Sequence, residues 1–306
     1  MSLDGLYYQH SGKYSVTGAL YAVVVGSVIA CACAFVYAYI IVYCPIVYLN
    51  ALIALGFGAV IGYMCAAMLK QKKVRSDAVA VGITLVVTTV AYYFHWAVWV
   101  WALARRGEEP VPFIGLVGLT IFPKLLWEAL RAINVEGAWT LRGSAVSGVA
   151  LWIVWASELA AIYWCSLKTA FSHMDEHPFC ETCEEWGVPD PSVLTVNTGD
   201  VAELKRRAEA KDLRYIEELG GPKDGSDFTR MDLFSCQRCG SLYTMDMERV
   251  QVTASGGKSK EKKSRVLHHL LLSPSEAQSI KKLAEKLKPA ALDVPPDTTK
   301  AEGASA

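Results

Sequence analysis

The sequence predicts a mostly α chain, a four-helix transmembrane bundle followed by a small α+β cytoplasmic domain, and three observations carry that prediction. Long apolar runs fill the first half of the chain and are missing from the second. Charge divides at the same place: residues 1–168 hold 11 Lys/Arg and 7 Asp/Glu, whereas residues 169–306 hold 19 and 23. The nine cysteines divide too, five in or beside the apolar runs and four in two C-x-x-C pairs in the charged half. Formal charge is zero overall, and neither half has the basic excess of a nucleic-acid binder, so no nucleic acid is expected as a partner.

Residues 1–15 read as a cytoplasmic N-terminal tail and residues 16–168 as the transmembrane domain. A helix needs about 20 apolar residues to cross a bilayer, and the runs 16–43, 46–69, 78–103 and 146–168 each meet that length. The first is too long for the apolar core of a secretory signal and lacks a small-x-small cleavage site. Pro45 separates the first two runs, which implies a tight helical hairpin. The connection "KQKKVRSD" carries Lys70, Lys72, Lys73 and Arg75 and is short, so it should face the cytoplasm. Four crossings then put both termini on the cytoplasmic side. The 104–145 connection, with Arg105, Arg106, Lys124, Arg131 and Arg142, opposes that orientation.

Small residues recur every fourth position in the first run, at Gly18, Ala22, Gly26, Ala30, Ala34 and Ala38, and the second run adds Gly58 and Gly62. Such stripes let helices approach closely, where dispersion replaces the missing hydrophobic drive. A hairpin packed along these seams is expected, the rival being a contact between copies in a homo-oligomer. The third and fourth runs carry His95 and Glu158. Ionisable groups at this depth are costly unless neutralised or paired, which makes both candidates for a ligand or proton site. The plainer reading is a protonated Glu158 bonded to a neighbouring helix and a His95 held among tryptophans.

Between these runs, 111–122 is too short to cross. Pro123 suits a first helical turn, and Lys124, Glu128 and Arg131 fall on the face opposite Leu126, Ala129, Leu130 and Ile133. An interfacial helix over about 123–134 is expected, with Trp127 and Trp139 at headgroup depth.

Residues 169–288 read as a soluble metal-binding domain. Cys180 and Cys183 lie in "PFCETCEEW", Cys236 and Cys239 in "LFSCQRCGSLY". Two C-x-x-C pairs are the arithmetic of a four-thiolate zinc site, since each pair can grip two corners of a tetrahedron. Gly240, directly after the second pair, permits the turn that aims backbone amides at the sulfurs. On these hooks the chain resembles the zinc-ribbon family of metal-binding modules, a likeness confined to the two hooks and the β-like chain beside the second. The resemblance implies a structural zinc ion on Cys180, Cys183, Cys236 and Cys239. The 52 residues between the hooks depart from the usual spacing of about 15–20. Iron on the same thiolates, a disulfide or a redox couple remain alternatives.

Much of that gap reads as one inserted helix over 201–219, with Asp200 as N-cap and Glu203 three residues on. Strand signals flank the second hook in "DFTRMDLFSC" and "SLYTMDMERVQV", and "SRVLHHLLL" offers a further strand. "GGKSKEKKSR" reads as a basic solvated loop. Ser273, Pro274 and Glu276 have capping-box spacing before a last helix, and residues 289–306 read as a disordered tail.

No catalytic motif emerges. "GGKS" at 256–259 lacks the earlier glycine of a phosphate loop, Val252 standing there. The expectation is therefore not an enzyme but a membrane-anchored binding or scaffolding module with a cytosolic protein partner, in a bacterial inner membrane. A small proton-linked transporter or channel using Glu158 and His95 is the first alternative, a redox or metal sensor the second.

Overall fold

The computed structural model describes residues 5–44, 46–107, 111–141, 144–222, 226–255 and 258–287. Pro45, Arg142, Gly256–Gly257 and the tail expected from residue 289 lie outside the described residues. The chain forms two compact units: one holds residues 10–176, the other residues 5–9 together with the chain from His177.

Four helices of the first unit are long and apolar enough to cross a membrane: α1 (Val16–Tyr43), α2 (Val47–Gln71), α3 (Asp77–Ala104) and α6 (Gly148–Met174). The last runs past Lys168, where charge first returns, to Met174. Lys168 keeps its ammonium over the Trp164 ring of its own helix, 4.8 Å from the centroid. A basic residue can end an apolar run without ending the helix.

The small-residue stripes are buried, but their seams are not those of an α1–α2 hairpin. Gly18, Ala22, Gly26, Ala30, Ala34 and Ala38 form the buried face of α1, and α1 packs chiefly along α3 while α2 packs along α6. At Gly26 a Cβ would sit 3.3 Å from Val87. Gly58 and Gly62 bring α2 against the α6 backbone: a Cβ would lie 2.5 Å from the Ile162 carbonyl oxygen at the first and 2.2 Å from that of Ser166 at the second. Between α3 and α6, Thr88 bonds Ser166 at 3.2 Å, and the hydroxyls of Thr89 and Tyr163 lie 2.7 Å apart.

α4 (Phe113–Ile121) and α5 (Pro123–Glu136) follow α3 and meet at a 106° bend. Phe122, extended between them, accommodates Pro123 as the first residue of α5. Leu126 and Leu130 are buried, and Lys124 pairs with Glu128 at 3.9 Å on the exposed side. A short antiparallel pair, β1 (Trp139–Leu141) and β2 (Ser144–Val146), leads into α6.

In the second unit, β3 (Phe179–Cys180) and β4 (Glu185–Trp186) form a small hairpin. An antiparallel meander follows: β5 (Val188–Asn197), β6 (Asp227–Ser235), β7 (Tyr243–Ser255) and β8 (Lys258–Leu272). The helices α7 (Val201–Glu209), α8 (Leu213–Leu219) and α9 (Pro274–Leu287) build the core with it. Leu204, Ile216 and Ile280 meet Met231, Leu233, Met245, Met247 and Leu270.

Three details differ from the sequence reading. The single helix expected over 201–219 is two: Lys211 takes a left-handed φ of 60°, and Asp212 begins α8 by accepting from the Tyr215 amide. The basic stretch 258–264 lies in β8 rather than in a loop, paired with β7 from Ser255↔Lys258 onward. Residues 6–8 are built into the domain. Tyr7 bridges Leu270, the Leu6 carbonyl accepts from Leu271, and the Tyr8 amide donates to His269. The capping signals hold. Asp200 accepts from Ala202 and Glu203, and Ser273 exchanges hydrogen bonds with Glu276.

Candidate functional site

The first hook is the turn of the β3–β4 hairpin, and the second is the turn between β6 and β7. In each, the residue after the second cysteine has a left-handed backbone: Gly240 at φ 58° and Glu184 at φ 54°. The same turn is thus made once by the residue best suited to it and once by a glutamate, for which that region costs about 1–2 kcal/mol. The second turn closes with Gly240 N donating to the Cys236 carbonyl and Cys236 N donating to that of Leu242, each at 3.0 Å.

These two turns bring Cys180, Cys183, Cys236 and Cys239 together, with all four sulfurs within 4.8 Å of one another. The Cys180–Cys239 separation is 3.6 Å, far beyond a disulfide's ~2.05 Å, and all four thiols are free. A tetrahedral zinc ion with Zn–S bonds of about 2.3 Å places its sulfurs about 3.8 Å apart. The donor set is close enough to bind one metal ion and is compatible with zinc. Cys180 and Cys236 are buried, and Cys239 is exposed.

The thiols are not electrostatically equal. The Ser241 hydroxyl and amide pull Cys239 down to about 6. Cys183 is pushed up to about 12, first by its hydrogen bond with Cys239.

The N-terminal segment props this centre. Tyr8, whose amide is held by β8, donates its hydroxyl to the Phe179 carbonyl at 3.3 Å and accepts from the Phe179 amide at 3.0 Å. Phe179 is 1% exposed and packs edge-on against Trp186. His177 packs against Phe234 at 5.7 Å and is not one of the donor group. The sequence offered no signal for Tyr8 beyond its being aromatic. Its role comes from a pairing across more than 170 residues.

A second polar cluster lies at a β-bulge between β7 and β8. Asp246 accepts from the His269 amide at 2.6 Å and faces Nδ1 of His268 at 3.0 Å and Nδ1 of His269 at 2.9 Å. Burial raises the Asp246 carboxyl, but the hydrogen bonds from His268 and His269 outweigh it and hold the group below the ordinary carboxylate range. Both imidazoles turn toward the same carboxylate, and the three ligand atoms lie within 4.8 Å of one another.

In the apolar unit, His95 and Glu158 line one cavity of about 450 Å³. They do not bond each other. Glu158 accepts from the Tyr37 hydroxyl at 2.5 Å. His95, 1% exposed, lies 4.8 Å from the Tyr37 ring and 5.0 Å from that of Trp96. It meets the Tyr92 backbone of its own helix at the margin of a hydrogen bond, and Nδ1 makes no well-formed one. Tyr37, Trp155 and Arg106 are the site neighbours that sequence reading did not single out. Each is an ordinary aromatic or loop arginine until the fold places it.

Searches of family models, curated proteins and solved structures returned no match for this chain.

Proposed function

We propose that the chain is an integral membrane protein, anchored by four crossings, whose second unit faces the cytosol and carries a structural zinc ion for binding a cytosolic protein partner. One observation carries this reading: two C-x-x-C hooks, each followed by a left-handed residue, converge their four sulfurs to metal-binding distance. Cys180, Cys183, Cys236 and Cys239 would hold the ion. Four thiolates close its coordination, so its contribution is to folding and not to catalysis. The ion would tie the start of the domain to the β6–β7 turn. Iron on the same thiolates is the alternative occupant.

The basic connection after α2 supports a cytosolic face. Lys72 lies over the Tyr21 ring at 3.8 Å, and Lys70 pairs with Glu176 at 3.2 Å, so charge gathers at one end of α1, α2 and α6. The bilayer assigned to the anchor is a bacterial inner membrane, with both termini cytoplasmic. Side-specific labelling tests the reading. In sealed vesicles of known orientation, a membrane-impermeant maleimide should reach the four hook cysteines only from the cytosolic side and only after chelation. Labelling from the opposite side would refute the assigned face, and full labelling without chelation would refute the bound metal.

The cavity around Glu158 favours a second reading, a small proton-linked transporter. Glu158→Gln should leave an anchored binding module intact and disable a transporter.

A further inference from the structure

The cavity between the spanning helices has features that an anchor does not require. Its volume of about 450 Å³ lies within the ~300–1,000 Å³ of small-molecule sites. The walls come from α1, α2, α3 and α6, with Val42 and Arg106 beyond or near the helix ends and Glu158 within. Glu158 is ten residues into α6, and His95 is nine residues before the end of α3. At about 1.5 Å per residue both lie roughly 15 Å from that end of the bundle. The carboxyl is therefore at the depth of the membrane interior.

Its surroundings are unbalanced. The one hydrogen-bond partner of Glu158 among the described residues is the neutral Tyr37 hydroxyl. The one arginine in the lining, Arg106, is turned to neutral partners. It donates to the Val42 carbonyl at 2.9 Å, and its guanidinium stands 4.9 Å from the Tyr43 ring. Buried inside the same lining are two polar atoms without a hydrogen bond, His95 Nδ1 and Asn50 Oδ1.

Three tryptophans stand in the apolar wall beside aliphatic side chains. Trp96, Trp99 and Trp155 pack at interplanar angles of 86°, 72° and 81°. All three residues line the cavity. Indole faces attract cations, more strongly once water is excluded.

We infer that this cavity is a binding site for a lipophilic organic cation, a quaternary ammonium, phosphonium or protonated amine with apolar substituents. Glu158 supplies the counter-charge, and the three indoles supply an aromatic wall beside it. The site is independent of the thiolate centre, and it shares Glu158 and His95 with the transport reading without requiring that transport occur.

The test uses two probes of equal size and shape and opposite charge, tetraphenylphosphonium and tetraphenylborate, with benzyltrimethylammonium as a smaller cation. Binding to the full-length chain in detergent is followed by calorimetry and tryptophan quenching. Expected are saturable binding of at least one cation, no saturable binding of the borate, and at least a tenfold loss with Glu158→Gln. Equal binding of phosphonium and borate, no binding of either cation, or cation binding indifferent to Glu158→Gln overturns the proposal and leaves a cavity filled by lipid. The charge comparison is made on the unaltered chain, so it decides the matter even if Glu158→Gln fails to fold. Phosphonium flux into proteoliposomes is read separately: its absence, with binding intact, removes the transport reading and leaves this site standing.

Discussion

Gly62 in the apolar unit and Cys236 in the sheet unit both sit where two distant parts of the chain come closest, and they get there differently. At Gly62 the approach is made by deletion. With no side chain on α2, the α6 backbone moves in until a Cβ would be 2.2 Å from a carbonyl oxygen. At Cys236 it is made by addition, four sulfurs drawn to one point by two turns. With the four helices in a bilayer, as proposed, the difference follows from solvent. Helices with apolar faces on every side gain little by hiding them from lipid, so close packing decides which pairs form. A four-stranded sheet with three short helices gains its core from water, but its second hook is a turn beyond that core and needs another tie.

That contrast can be broken at several points, and hydrogen exchange read by segment reports both units in one chain. The largest effect is expected from Cys236→Ser. Structural zinc sites contribute about 10–16 kcal/mol of apparent binding energy. Losing one ligand should expose amides in 178–187 and 235–243 to rapid exchange while α2 and α6 stay protected. Gly62→Ala should do the reverse, costing about 1–3 kcal/mol by overpacking, with faster exchange in α2 and α6 and none of it in the hooks. If either substitution loosens both units equally, the two are not held by separate means.

Smaller effects sharpen the comparison within the metal-binding unit. Gly240→Ala forces a Cβ onto a φ of 58° and should cost about 1–2 kcal/mol. Glu184→Gly relieves the same strain in the other hook and should be neutral or stabilising by up to about 1 kcal/mol. Thermal unfolding of the metal-loaded chain checks both, and equal signs would contradict a shared turn. The smallest effect is on acid stability. Arg249 holds Asp227 at about 2, and an unfolded aspartate titrates near 3.9. Because the folded value is the lower one, the stabilisation is complete above about pH 4 and is lost as pH falls through about 2. Asp246, also held below its ordinary range, adds to the loss in the same direction. Exchange in β6 and β7 should rise over that interval, and Arg249→Ala should flatten the rise.

The legible parts of this molecule were those written in local sequence. The four apolar helices follow from run length, the buried stripe of α1 from a period of four, and the caps at Asp200 and Ser273 from residue type and spacing. The convergence of the cysteines was legible because each hook carries its geometry within a few residues. Partnership was not. Nothing in Gly58 and Gly62 says that their partner is α6 and not α1, since any helix with a matching surface satisfies a small-residue seam. The β5 strand carries two prolines, Pro189 and Pro191, which argue against a central strand, and it lies at the sheet edge where proline is tolerated. Residues 6–8 read as a tail because their strand-like pairing comes wholly from β8.

The shared metal of the two hooks is the central claim, and it is tested most directly by elemental analysis of the full-length chain purified without added metal, with thiols counted before and after chelation. The account predicts about one zinc per chain, four thiols shielded until chelation, and loss of exchange protection in both hooks once the metal is removed. A chain without bound metal, with those four thiols reactive from the start and both hooks still protected, would contradict it.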